Sequence, residues 1–266
     1  MRNATLHLLC NPYKGEPFKL QGNQLVGVIS GQKFPIREGI PQIFGEQANI
    51  GRSKSSKWIY DFTAFAYDAI LKVGDFTRIN AEGILRQEYI QKLVVPKNAK
   101  VLETAAGTAE NLLHLPSEID YYALDISYQM LKRAQRKAKN ADREIECIQA
   151  DGAYVPFRDE TFDVVFQMGG LQFYTDPFKG ISEMARVAKP GATIHVIDEV
   201  RGAQRTLSPH PAHQKYSGTA ERAVEGIKRL VPHSMRSVQS FIFPKTNFYV
   251  LTFKKPSLGI PYKIEK

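Results

Sequence analysis

Cysteine is nearly absent: the 266 residues hold two, Cys10 and Cys147, far apart and in no pattern. Such a pair builds neither a disulfide framework nor a four-cysteine zinc site. Long apolar runs are missing too. None reaches the roughly 20 residues of a membrane span, and the first residues carry no apolar signal region, so the expectation is a cytoplasmic protein without a membrane span. The glycine spacing of a dinucleotide-binding turn is absent from residues 101–111, as is a phosphate-binding Gly-Lys-Ser/Thr, which argues against a nicotinamide enzyme. Nor does spacing assemble a His/Asp/Ser hydrolytic set.

What is present belongs to a globular chain, 43% apolar and 24% charged, long enough for one large domain and a smaller appendage. The net charge of +9 is uneven. Residues 1–57 carry eight Lys or Arg against three acids, residues 58–200 sixteen against twenty-one, and residues 201–266 twelve against three. Basic flanks suit RNA, an anionic metabolite or a membrane surface, but no Lys/Arg cluster interleaved with aromatics singles out nucleic acid.

Residues 1–44 read as a small antiparallel β unit, with extended pieces at Leu6–Leu9, Gln24–Ile29 and Lys33–Ile36 between turn signals. Too small to stand alone, it should pack on the larger domain. Residues 45–57 read as a polar linker, and Trp58 to Ile70 as a helical stripe; a further helix is expected over Asn80–Lys92. After Pro96 the elements alternate: strand 99–103, helix 109–115, strand 120–125, helix 127–139, strands 145–149 and 162–167, helix 178–188, strand 191–198. That order predicts an α/β fold with a mostly parallel sheet and right-handed crossovers. A basic insert of about 200–232, ending in a helix at 219–230, precedes strands 234–242 and 247–253, an antiparallel hairpin closing the sheet.

In an open α/β sheet, ligands gather at the carboxyl ends of the strands. There stand Glu103, Asp125 and Asp151, and after Glu103 a run of small residues turns towards a helix start, where free N–H groups face a ligand. Asp125 follows Glu103 by 22 residues, near the spacing at which an acid meets a ribose diol; the alternative is a cap on helix 127–139, by Asp125 or Ser127. Asp151-Gly152 suits an adenine amino group, or else a solvent-facing turn. Asp163 reads as holding neighbouring loops, and His195, inside a strand, as packing.

The segment Glu103-Thr104-Ala105-Ala106-Gly107-Thr108-Ala109, with Asp125, Asp151-Gly152 and Ile181-Ser182-Glu183-Met184-Ala185-Arg186-Val187-Ala188-Lys189-Pro190-Gly191, resembles the class I S-adenosylmethionine-dependent methyltransferases. Within them it is similar to the menaquinone/ubiquinone biosynthesis type. The resemblance covers about residues 58–200 and less firmly the closing hairpin. It implies a Rossmann-like methyltransferase domain over 58–266 with S-adenosyl-L-methionine as cofactor. Glu103 would orient the turn and the methionyl end; Ala105 and Gly107 would line the cofactor; Asp125, Ile126 and Met130 would meet ribose and adenine. Asp151 and Gly152 would stand at the adenine side, and Gln167, Met168 and Leu171 near the methionyl part. The 181–191 phrase implies fold rather than catalysis. Two family glycines are Ala105 and Ala109 here, which fits a working turn if both hold ordinary negative φ.

The phrase Gln32 to Pro41 resembles the end of a zinc-ribbon-like domain related to the activator subunit of tRNA and rRNA methyltransferases. Its cysteine pairs correspond to Cys10 with Tyr13 and Gly27 with Ser30, which implies a ribbon without metal. The expected activity is methyl transfer to a small aromatic or lipophilic acceptor, walled by Tyr60, Tyr67, Phe173 and Tyr174. His210 and His213 in the insert, where the resembled family builds a substrate lid, are candidate bases. A nucleic-acid acceptor and a non-catalytic interaction module are the alternatives.

Overall fold

The computed structural model describes residues 2–45, 76–200, 219–244 and 246–257. Most of the expected linker, the 58–70 stripe and the larger part of the basic insert lie outside them.

The larger sheet has seven strands: β5 (Lys100–Thr104), β6 (Asp120–Asp125), β7 (Glu146–Gln149), β8 (Val164–Met168), β9 (Thr193–Glu199), β10 (Arg236–Ile242) and β11 (Phe248–Lys254), in the order β10-β11-β9-β8-β5-β6-β7. The pairings β5·β6, β5·β8, β6·β7 and β8·β9 are parallel; β11 runs against both β9 and β10. Only β11 is therefore reversed, and the hairpin closes the sheet as expected. Central strands read as continuous apolar runs because both faces are covered. On one face lie Val101, Tyr121, Ala123, Cys147 and Phe166 with helix α3 (Tyr128–Asn140); on the other lie Leu102, Leu124, Ile148, Val165 and Val196 with α4 (Pro177–Val187) and α5 (Ala220–Lys228). Capping is local: Ser127 accepts from the Met130 N–H, Asp176 from that of Lys179, and Thr219 from that of Arg222. Helix α2 (Phe76–Glu88) and a 3-10 turn at Ile90–Lys92 replace the single helix expected over 80–92, and the helix expected over 109–115 is a 3-10 turn, Glu110–His114.

Residues 2–45 form the second unit. A four-residue helix, α1 (Asn3–Leu6), and a turn at His7-Leu8 run into the strand expected at Leu6–Leu9, leaving only single bridges at Leu9 and Cys10. Strands β1 (Phe18–Gln21), β2 (Gln24–Gly27), β3 (Lys33–Arg37) and β4 (Ile40–Pro41) pair antiparallel in sequence order. The unit does pack on the larger sheet: Leu9, Phe18, Leu25, Phe34, Ile36 and Ile43 share a core with Leu124, Ile148 and Phe157. Backbone bonds join the two as well. Ile43 N–H donates to Gln149 O at 2.8 Å, Cys10 N–H to Pro156 O at 3.1 Å and Arg158 N–H to Leu8 O at 2.9 Å. The outer edge of β7, open to aggregation if left bare, is thereby covered beside Gln42, which bridges Gln149 in parallel.

Candidate active site at the strand tips

The turn after β5 alternates left-handed residues. Ala105, Gly107 and Ala109 stand at φ of 53°, 54° and 53°. The expectation of ordinary negative φ for the two alanines is thus overturned: the path that suits glycine is kept by residues that pay for it sterically, at about 1–2 kcal/mol each. The surroundings hold the path. Ala106 N–H donates to Leu124 O at 3.0 Å, Gly107 N–H to Asp125 Oδ2 at 2.8 Å, and Lys137 Nζ to Thr108 Oγ1 at 3.0 Å. A β-carbon placed on Gly107 or on Gly169 would meet nothing within 4 Å, so space is open over both turns.

Asp125 binds backbone at the mouth of the helix, as the capping alternative expected, and pins the small-residue turn as well. Its Oδ1 accepts from Ser127 N–H at 2.7 Å, at the mouth of α3, while Oδ2 holds Gly107. Burial pushes its carboxyl up, and the backbone N–H bonds pull it back. A carboxylate offers about four lone-pair sites, more than the backbone N–H groups of Ser127, Gly107 and Ile126 occupy, so capacity remains for a hydroxyl. Ile126 and Met130 beside it are half-buried, and Ile126 O accepts from Gln149 Nε2 at 2.8 Å.

Asp151 is buried rather than solvent-facing, and accepts from Ala153 N–H at 2.9 Å and Thr175 Oγ1 at 2.5 Å. It ties the loop after β7 to the start of α4. Gly152 and Gly180 both abut the Tyr174 ring so closely that a β-carbon at either would collide with it. Tyr174, expected in the acceptor wall, is therefore a buried wedge between the loop after β7 and helix α4; Phe173 is exposed. Tyr60, Tyr67, His210 and His213 lie outside the described residues.

Glu103 turns to the α3 face. Asn111 Nδ2 donates to it at 2.7 Å, the Tyr121 hydroxyl donates to its other oxygen, and Arg86 Nε reaches Asn111 Oδ1 at 3.1 Å. Burial pushes its carboxyl up to about 8. It thus holds the 3-10 turn that comes after the small-residue loop. Asp163, as expected, holds loops: it accepts from Lys100 N–H and Lys189 Nζ. His195 packs against Tyr89, whose hydroxyl lies 2.8 Å from its Nδ1, and burial lowers it to about 4. Arg186 of the 181–191 phrase donates to Phe157 O and Val155 O, which is a fold role.

Asp198, at the tip of β9, is a site residue that sequence reasoning missed. It accepts from Leu171 N–H at 2.9 Å and Gln167 Nε2 at 3.3 Å, and burial pushes it up to about 6. Gln167 is fully buried and Met168 half-buried, so Asp198 anchors the Gly169-Gly170 turn, where Gly170 approaches the Ala105 methyl. An acid inside a seven-residue strand gives no motif signal.

A mostly parallel seven-stranded sheet with one reversed strand, acids at four strand tips and a small-residue turn over the first has the layout of a Rossmann-like nucleotide-binding fold. A methyltransferase domain model matches residues 102–196. The demethylmenaquinone methyltransferase of Corynebacterium glutamicum is 31% identical over 182 residues, 66% of this chain and 71% of that protein. That of Listeria monocytogenes is 35% identical over 118 residues, 42% of this chain and 50% of it. The chain spans between half and about seven tenths of the lengths of these two relatives. Among solved structures, an S-adenosyl-L-methionine-dependent methyltransferase described as putative, from Methanococcus maripaludis, aligns with a TM-score of 0.56 at 16% identity, over 74% of this chain and 94% of that one. A chain of the complex between the Haloferax volcanii Trm112 methyltransferase activator and a methyltransferase aligns with a TM-score of 0.56 at 15% identity, over 76% and 98%. The chain belongs to the class I S-adenosylmethionine-dependent methyltransferases. Its residues fit that cofactor: open space lies over Gly107 and Gly169, and Asp125 keeps acceptor sites free for a ribose.

Proposed function

We propose that the protein methylates a small aromatic or lipophilic acceptor, with Asp125 taking the ribose hydroxyls and Ile126 and Met130 flanking the adenine. The bound cofactor supplies an electrophilic methyl on a sulfonium. Ala105 and Gly107 leave room for the methionyl end, with Gln167, Met168 and Leu171 opposite and Asp151-Gly152 at the adenine side; Glu103 acts on this end through the 3-10 turn. The observation that carries the reading is the left-handed turn pinned by its Gly107 N–H to Asp125, since it joins small-residue clearance to an acid at one point. The lipophilic acceptor rests on the relatives, which are demethylmenaquinone methyltransferases. Phe173 and Phe178, both more than half exposed after β8, supply apolar surface of that kind. Tyr60 and Tyr67 complete the proposed wall, and His210 or His213 is the proposed base for an acidic hydroxyl or carbon.

The first unit reads as a ribbon without metal. The Glu16 carboxylate accepts from Ile29 N–H at 2.6 Å, Ser30 N–H at 2.8 Å, the Ser30 hydroxyl and Asn11 Nδ2 at 3.1 Å, so an anion organises the loop that includes Gly27 and Ser30.

The test is mass spectrometry after incubating the full chain with S-adenosylmethionine and reduced quinones, phenols and, separately, RNA. Methyl addition to a quinol or phenol is expected. Methylation of RNA alone, or no S-adenosylhomocysteine from any of them, refutes the acceptor assignment.

A further inference from the structure

The first unit reaches the adenine side of the cofactor site by two routes. Gln42, just after β4, donates from Nε2 to Gln149 Oε1 at 2.5 Å, and Ile43 N–H donates to Gln149 O. The Gln149 amide has one oxygen and one nitrogen. With its oxygen held by Gln42, its nitrogen is directed to Ile126 O at 2.8 Å. The next residue, Ala150, donates its N–H to Asp125 O at 3.1 Å. The position of Asp125-Ile126 is therefore set by the tip of β7, and that tip by Gln42-Ile43. On the second route, the Tyr13 ring stacks on Tyr154 with centroids 5.0 Å apart, Lys179 Nζ sits 3.4 Å from the Tyr154 centroid, and Tyr154 N–H donates to Asp151 O. Both routes end on residues proposed for the nucleoside and neither on those proposed for the methionyl end.

We infer that Gln42 is a positioning residue for the nucleoside half of the cofactor, acting through Gln149 on the Ile126 carbonyl, so that the N-terminal unit is a built-in part of the cofactor site. The inference rests on the methyltransferase reading and deepens it. Fixing the amide of Gln149 removes its freedom to flip, and the loop that meets the ribose is set before the ligand arrives. Without Gln42 the amide must find its geometry during binding, and affinity falls by the worth of one hydrogen bond, roughly threefold to tenfold.

Titration calorimetry of the full chain with S-adenosylhomocysteine and with adenosine tests this. The series is the native protein, Gln42→Ala, Gln149→Ala, the double variant, and Asn23→Ala, which removes a hydrogen bond to Ile36 O inside the same unit. Each single glutamine variant should weaken both probes by roughly threefold to tenfold, and the double variant no more than the stronger single. Asn23→Ala should lower the melting temperature and leave both dissociation constants within about twofold. An unchanged affinity in Gln42→Ala, an additive double variant, or an equal loss in Asn23→Ala, which would indicate general loosening, overturns the inference. If the native protein binds neither probe, the methyltransferase reading itself fails and the inference falls with it.

Discussion

Glu103 sits fully buried at the end of the first sheet strand of the catalytic domain, and replacing it with glutamine separates a structural from a ligand-facing use. Its carboxyl is pushed from 4.5 up to about 8, chiefly by burial, against the pull of the Asn111 amide. The unfolded chain ionises at 4.5 and the folded one at about 8, so folding near neutrality requires a proton to be taken up. The stability this group contributes is complete below pH 4.5 and is lost as the pH rises through 8. The loss amounts to about 3 kcal/mol by pH 7 and about 5 kcal/mol above pH 8. Glutamine keeps the shape: its oxygen accepts from Asn111 and its nitrogen donates to the Tyr121 hydroxyl oxygen, with no proton to take up. Urea unfolding followed by circular dichroism, at pH values from 4.5 to 8, should give equal stabilities at the acid end and a Glu103→Gln advantage of roughly 3 kcal/mol at pH 7. Parallel curves across that range, or a less stable variant at pH 7, would refute the reasoning. A variant that gains stability and binds S-adenosylhomocysteine as tightly as the native protein would assign Glu103 to the 3-10 turn rather than to the cofactor.

Ala105→Gly should raise stability by about 1 kcal/mol in the same assay, since it relieves a left-handed alanine that is only partly buried. Ala109→Gly should be nearly neutral, because relief is offset by loss of a methyl that is 1% exposed; stabilisation of equal size at both sites would show that burial does not matter there. Asp125→Ala should weaken S-adenosylhomocysteine binding by at least roughly tenfold, measured by calorimetry, and leave the Gly107 and Ser127 N–H groups without their acceptor; unchanged affinity removes the ribose assignment. Glu16 is held down to about 2, first by the Ser30 hydroxyl, so its contribution is present above pH 4.5 and lost as the pH falls through 2. Glu16→Gln should lower the melting temperature at pH 7 and flatten the acid limb of the stability profile; an unaltered acid limb would reject the Glu16 cluster as the organiser of the unit.

The regular part of the fold was legible because its strands are buried on both faces. β6 spans 120–125 as expected, and the other parallel strands lie within two residues of their expected limits at either end. Such strands write themselves as apolar runs bounded by Pro96, Asn98 and Gly191, and the right-handed crossover rule then leaves few topologies. The first unit was harder for the opposite reason. Phe18-Lys19-Leu20-Gln21 in β1 alternates apolar with polar, yet only Phe18 is buried and Leu20 lies exposed, so the alternation marks no buried face. Leu6 to Leu9 looked extended by composition, yet Leu8 N–H bonds back to Thr5 O and Leu9 N–H to Leu6 O, and of the four only Leu9 is fully buried. Tertiary contact with Phe157 decided that segment, not propensity.

The candidate site divides along the same line. Acids at strand tips are visible in one dimension because a strand end is a local event, and Glu103, Asp125 and Asp151 all stand there. Their partners are not local. Asp151 meets Thr175 across 24 residues, Gln42 meets Gln149 across 107, and Asp198 catches Leu171 across 27. The sheet order brings Gln167, Asp198 and Tyr249 to one face at adjacent strands, with Gln167 Oε1 and the Tyr249 hydroxyl buried and without a hydrogen-bond partner among the described residues. No spacing rule joins positions 167, 198 and 249; only register does. The alanines make the same point in backbone terms. Composition allowed a relaxed turn, but the path that brings Ala106 N–H to Leu124 O and Gly107 N–H to Asp125 carries Ala105 and Ala109 through the left-handed region. The left-handed alanines thus go with a turn tied to the end of β6, a strand paired with β7, along whose outer edge the N-terminal unit packs.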